Sequence, residues 1–196
     1  MEVTLYGIGS NRSARCRWTL DEAGIEYTSI DKRELASPDE LRQFHPLAKV
    51  PAAVIDGQTL YESAAICTYL ADLVPEKGLI AASGTRERAL HMQWVSFVLT
   101  EMEAFLWSNA RNTFVLPEEQ RITALFEQNV AAYLQAAKVL ERHLTDHPYM
   151  IADQFSVTDI LVGFVVNWGS GVGLLKDLPQ LNAYLERLKA RPHSTL

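Results

Sequence analysis

The chain has 196 residues, 48% of them hydrophobic, enough to bury the core of one large domain or two small ones and too much for a disordered chain. A net charge of −6 and a pI near 5.4 argue against a general nucleic-acid binder, while leaving room for a local basic pocket that takes an anionic small molecule. Two cysteines without CxxC or metal-type spacing, histidines without an HExxH motif, and no signal sequence or long apolar run argue against a disulfide scaffold, a zinc site and a membrane span, so a cytoplasmic protein holding no metal is expected.

Val3 and Leu5 alternate with Glu2 and Thr4 as in a short strand. After the loop from Gly7 to Asn11, the residues Ser10, Asn11 and Ser13 are each plausible caps for a helix from Ala14 to about Ala23, with Gly24 at its left-handed end. Glu26 to Ile30 reads as a second strand, so the opening is β-α-β, a parallel pair with a right-handed crossover. Ser37-Pro-Asp-Glu40 predicts a capping box for a short helix holding Leu41 and Phe44, stopped near Pro46. Leu47 to Ile66 then reads as strand, tight turn, strand and helix start. Pro51 precedes the first of these strands, where its missing N–H costs no central ladder bond, and Asp56-Gly57 signals a type I′ turn. Glu62-Ser63 opens an apolar helix that ends near Pro75. The order β-α-β-α-β-β-α is that of a thioredoxin-like domain with a mixed sheet, placed over residues 1–76.

Residues 77–85 read as a linker and residues 86–196 as an all-α domain. Met92, Val95, Leu99, Met102 and Leu106 mark one face of a long helix. Pro117-Glu-Glu opens another, with the stripe Ile122, Phe126, Val130, Tyr133, Ala137, Leu140 and Leu144. Ser156-Val-Thr-Asp159 predicts a capping-box start to an apolar helix reaching about Asn167, and Pro179 starts a last helix with Leu181, Leu185 and Leu188 inward. His91, His143 and His147 fall on or beside polar faces, and Cys16 and Cys67 read as buried fillers.

Three segments in this order, Pro46-Leu-Ala-Lys-Val-Pro51, Leu60-Tyr-Glu-Ser-Ala-Ala-Ile66 and Phe155-Ser-Val-Thr-Asp-Ile160, resemble the cytosolic glutathione transferases, and within them the serine-type bacterial, theta and zeta groups. The resemblance covers nearly the whole chain. It implies an α/β thioredoxin-like N-terminal domain followed by an all-α helical domain, usually in a homodimer. It implies a detoxification enzyme that conjugates glutathione thiolate to small hydrophobic electrophiles, with glutathione as co-substrate rather than a permanently bound cofactor, and neither nucleic acid nor membrane as partner.

The site residues follow from the same resemblance. Ser10 falls where a hydroxyl donates to the glutathione sulfur, with Asn11 and Ser13 as nearby substitutes and Arg12 or Arg15 adding positive field; a donor and a helix N-terminus both favour a thiolate. Val50, ahead of a bond expected to be cis at Pro51, would pair its backbone with the cysteinyl part of glutathione. Glu62 would accept the γ-glutamyl amine and Ser63 would hold the γ-glutamyl carboxylate at a helix N-terminus. Lys49, or His45 as in some relatives, would reach the glycine carboxylate, and Trp107, Asn109 and Arg111 would line the electrophile pocket.

The alternatives are another glutathione-dependent activity (isomerase, dehalogenase, ether cleavage, peroxidase) or a non-catalytic binding module on the same fold. Ser10-Asn11-Arg12 stands where the zeta type has Ser-Ser-Cys, which weakens the isomerase reading. Taken by themselves, Ser10, Glu62 and Ser63 are helix caps and Val50-Pro51 a strand entry, while Ser156 and Asp159 are structural caps in either view.

Overall fold

The computed structural model describes residues 1–35 and 37–196. They divide into two units, Met1–Ser83 with Lys189–Leu196, and Gly84–Leu188. The C-terminal residues thus lie with the first unit, whereas the sequence reading ran the helical domain to residue 196.

The first unit contains β1 (Val3–Tyr6), α1 (Ser13–Ala23), β2 (Thr28–Ile30), α2 (Pro38–Leu41), β3 (Ala52–Ile55), β4 (Gln58–Tyr61) and α3 (Ser63–Asp72). The sheet order is β2-β1-β3-β4, with β1 and β2 parallel and the other two pairs antiparallel, the mixed sheet that the element order implied. Side chains alternate across it. Val3 and Leu5 are buried opposite Ile55 and Ala53 on one face. Tyr6 and Ala52 join Leu41 in a cluster on the other, where the Tyr6 and Phe44 rings stack with centroids 4.1 Å apart. Asp56 and Gly57 carry φ of 47° and 79°, the positive pair that a type I′ hairpin requires.

Helix α1 ends at Gly24 in the left-handed conformation, as its sequence indicated. It packs on α3, with the buried sulfurs of Cys16 and Cys67 3.9 Å apart. The C-terminal residues are tied down by Arg191, whose guanidinium makes bonds of 2.8 and 2.7 Å to the two oxygens of Glu22. Burial would raise the Glu22 carboxyl, but the Arg191 and Trp18 donors outweigh it and hold the group below the usual carboxylate range.

Two local expectations fail here. Ser37 sits at the N-cap of α2 but makes no side-chain capping bond. The capping box of this region is instead formed by Asp31 and Glu34 around a single 3-10 turn, Lys32–Glu34. The second strand begins at Thr28 rather than Glu26.

In the second unit α4 (Arg86–Val98) passes through a π-helical stretch, Leu99–Glu103, into α5 (Ala104–Ala110) and a second π stretch, Arg111–Val115. Val95, Met102 and Leu106 are buried as expected, but Met92 is 54% exposed and His91 takes the inward position. His91 correspondingly departs from its expected polar face, sharing a buried 2.9 Å hydrogen bond with the Thr158 hydroxyl.

The helix expected from Pro117 begins only at Phe126, as α6 (Phe126–Asp146). Asn112 Oδ1 accepts the Ile122 N–H at 2.7 Å, and the stretch forms two 3-10 turns instead, leaving Ile122 exposed. From Tyr133 onward the α6 stripe is buried as expected.

Helix α7 (Val157–Gly171) runs one turn past Asn167, and α8 (Pro179–Lys189) buries Leu181, Leu185 and Leu188. The Asp159 carboxylate binds these parts together. Its Oδ1 accepts the Met150 N–H and the Tyr184 hydroxyl, and its Oδ2 accepts the Ser156 N–H and hydroxyl. No helix among the described residues is long and apolar enough to cross a membrane.

Candidate functional site

Sheet register brings three loops of the first unit to one end. Tyr6 pairs with Ala52 and Ala52 with Tyr61, so the chain leaving β1, entering β3 and leaving β4 does so at the same edge. These loops carry Ser10 and Asn11, Lys49 to Pro51, and Glu62-Ser63.

The β1–α1 loop closes tightly on the β3 entry. Gly7 has φ +128°, and a Cβ there would stand 2.1 Å from Ser13 Oγ and 2.9 Å from Val50 Cβ, so only glycine fits. Arg17 braces the loop by donating to the Gly9 carbonyl at 2.7 Å. Asn11 is engaged at both ends of its side chain, donating to the Ile8 carbonyl at 2.6 Å and accepting the Ser13 N–H at 2.9 Å. Neither Ser10 nor Ser13 is the cap of α1, since Arg12 holds the N-cap position, without a side-chain capping bond. Ser10 is exposed, while the Ser13 hydroxyl is buried without a hydrogen-bond partner.

The Val50–Pro51 peptide is cis, as expected from the sequence. Val50 is half-buried and Lys49 exposed. His45 is buried, and its Nδ1 accepts the Leu47 N–H at 3.0 Å, which leaves the proton of the neutral ring on Nε2. It braces the loop rather than standing free at the surface.

Glu62, at the N-cap of α3, has φ 72° and ψ 115°, a backbone conformation that non-glycine residues rarely adopt, and it makes no side-chain capping bond. The simple capping role open to it is therefore not the one it plays. Ser63 is the first residue of α3 and is buried; its Oγ accepts a 3.0 Å bond from Nη1 of Arg15, itself only 1% exposed. A buried guanidinium behind the first turn of a helix makes this point of the molecule favourable for an anion. Sequence reasoning gave Arg15 a general positive field but no partner. Its place among the apolar residues of α1 was the available signal.

The two cysteines lie within α1 and α3 rather than at the strand-to-helix corner. Burial, first, and the contact with Cys67 push the Cys16 thiol well up, so it does not provide a thiolate at neutral pH. In the second unit, Trp107 and Asn109 are half-buried and Arg111 exposed. Asn109 accepts from Asn129 at 2.7 Å, which gives its side chain a structural partner on α6.

Two family models match the chain: the glutathione S-transferase N-terminal domain over residues 1–72 and the glutathione S-transferase C-terminal domain over residues 88–192. Among curated proteins, the Escherichia coli glutathione S-transferase GstA is 30% identical over 181 residues, covering 89% of this chain and 86% of its own. Among solved structures, a glutathione transferase from Methylococcus capsulatus is similar with a TM-score of 0.83 at 28% identity, covering 98% of this chain and 95% of its own. A beta-class glutathione S-transferase from Sphingomonas chungbukensis gives 0.84 at 26% identity, covering 97% and 94%.

Proposed function

The chain belongs to the glutathione S-transferase family, and from that premise we propose that it joins the thiolate of reduced glutathione to small hydrophobic electrophiles, with the Ser10 hydroxyl donating to the sulfur. The observation that carries the reading is the convergence, at one sheet end, of a cis Val50–Pro51 corner, the Ser63 start of α3 and the loop of Ser10.

The tripeptide lies extended along the corner. The Val50 backbone, made available by the Pro51 bend, pairs with its cysteinyl part, as a strand would. Ser63 and the N–H groups of the first turn of α3 hold the γ-glutamyl carboxylate, and Glu62 accepts the amine. Lys49 reaches the glycine carboxylate, and Asn11 keeps the neighbouring loop in shape. The thiol loses its proton to solvent, and the Ser10 O–H stabilises the resulting anion. The sulfur attacks an electrophilic carbon, a C–S bond forms, and the leaving group departs with its electron pair. Trp107 and Arg111 contribute to the apolar pocket for the electrophile, and the working form is a cytoplasmic homodimer.

The test is retention on glutathione-agarose followed by turnover of a chloronitroaromatic; folded protein that does neither defeats the reading. Ser10→Ala should lower turnover about 10- to 100-fold and raise the pKa of bound glutathione, read from thiolate absorbance, with helical content unchanged. Unchanged turnover would move the role to Asn11 or Ser13.

A further inference from the structure

Arg15 is an unusual occupant of a core. It lies within the first turn of α1, flanked by buried Ala14 and Cys16, and is only 1% exposed. Burying a guanidinium is costly unless hydrogen bonds compensate it, and here the buried Nε makes none, so the compensation falls to the terminal nitrogens. One of them spans the contact between α1 and α3 to Ser63 Oγ at 3.0 Å, a partner 48 residues away in sequence. Ser63 in turn opens a helix of 10 residues, whose first N–H groups have no intrahelical acceptor.

The direction of this bond matters. A serine hydroxyl has one proton to give and lone pairs to accept with. Arginine has no acceptor, so Ser63 Oγ must accept from Nη1, and its own O–H is left to point elsewhere. An oxygen that receives a charge-assisted bond is also a stronger donor in its turn. Buried positive charge, polarised hydroxyl and helix N-terminus therefore act in series on whatever acceptor meets Ser63. Lysine would not reproduce this, because its ammonium is a strongly hydrated point charge without the planar fork.

We propose that Arg15 is the positioning residue of the Ser63 subsite: it fixes the Ser63 hydroxyl as a donor and makes the subsite select ligands with a free carboxylate at the γ-glutamyl end. The proposal rests on the glutathione reading above, and adds to it the element that gives this subsite its selectivity.

Titration calorimetry tests it with two ligands, S-methylglutathione, which has no ionisable thiol, and its analogue lacking the γ-glutamyl α-carboxylate. In the wild-type protein the first should bind at least about 10-fold more tightly than the second. Arg15→Met should weaken S-methylglutathione about 10- to 50-fold and the decarboxylated analogue less than about 3-fold, and Arg15→Lys should recover part of the loss. In turnover, KM for glutathione should rise while kcat stays within a few-fold. In a Ser63→Ala background the Arg15→Met effect should largely disappear, because the two residues act through one hydroxyl.

Equal weakening of both ligands, or full additivity with Ser63→Ala, would overturn the proposal and leave Arg15 a core residue only. Should Arg15→Met fail to fold, Arg15→Lys supplies the same comparison, and a selective loss for the carboxylate ligand is still required. Wild-type protein that binds neither glutathione nor S-methylglutathione removes the glutathione reading itself. Tight binding of both ligands without discrimination removes only the role of Arg15.

Discussion

Replacing Asp159 by asparagine separates two opposing contributions to stability in the helical unit. Burial pushes this carboxyl from its usual 3.8 up to about 6, although the Met150 N–H, the Tyr184 hydroxyl and the Ser156 N–H and hydroxyl all favour the anion. At about 1.4 kcal/mol for each tenfold change in proton affinity, that rise amounts to roughly 3 kcal/mol. The folded-state pKa is the higher one, so the folded state holds its proton more tightly than the unfolded chain. The associated stability is fully present below about pH 4 and is lost as pH rises through about 6. The protonated carboxyl keeps the network, because Oδ2–H can donate to Ser156 Oγ while Oδ1 still accepts. Asparagine cannot titrate, and its amide nitrogen meets donors where an acceptor is needed. The variant should therefore lose about 1–3 kcal/mol at pH 8, and roughly 3 kcal/mol more at pH 4. Urea unfolding of both proteins at matched pH between 4 and 8 measures the difference directly, since all other titrating groups cancel. A difference that is flat, or that grows toward alkaline pH, would show that the four hydrogen bonds outweigh burial and refute the reasoning.

Other perturbations test the remaining contacts. Tyr133 has a buried hydroxyl without a hydrogen-bond partner, so Tyr133→Phe should leave stability unchanged or raise it by about 1 kcal/mol in chemical denaturation; a clear loss would reveal a partner. Gly7→Ala drives a Cβ to 2.1 Å from Ser13 Oγ at a strained φ of +128°, and should cost about 2–3 kcal/mol and reduce retention on glutathione-agarose; normal unfolding and retention would contradict the close approach. Arg191→Ala should cost about 1 kcal/mol at neutral pH and speed hydrogen exchange in the C-terminal residues. Because the Glu22 carboxyl is held below its usual range, the stability this pair provides is present at neutral pH and is lost as pH falls through the depressed value; a loss that persists in strong acid would mean the contact is not ionic.

Most of the architecture was legible because its signals are local. The Asp56-Gly57 turn, the Gly24 helix end, the Pro179 start and the order of strands and helices depend on backbone preferences within a few residues, and each is met. The misses came where a distant partner overrode a local preference. Asn112 took the Ile122 N–H and delayed α6 to Phe126, and His91, bonded to the Thr158 hydroxyl, took the inward place expected of Met92. Ser37 had the pattern of a cap and no capping bond.

The candidate site divides in the same way. The sequence by itself determined which residue types stand at the three loops: a proline able to adopt the cis form, a serine at a helix start, a hydroxyl after the first strand. It could not determine that Arg15 would reach Ser63, that Glu62 would adopt a positive φ, or that Arg191 would close on Glu22. Turns and caps are decided by neighbours a few bonds away, and their energies are nearly the same in any protein. Pairings between residues 48 or 169 positions apart exist only once the sheet and the α1–α3 contact have brought the chain back on itself, so only the tertiary structure decides them.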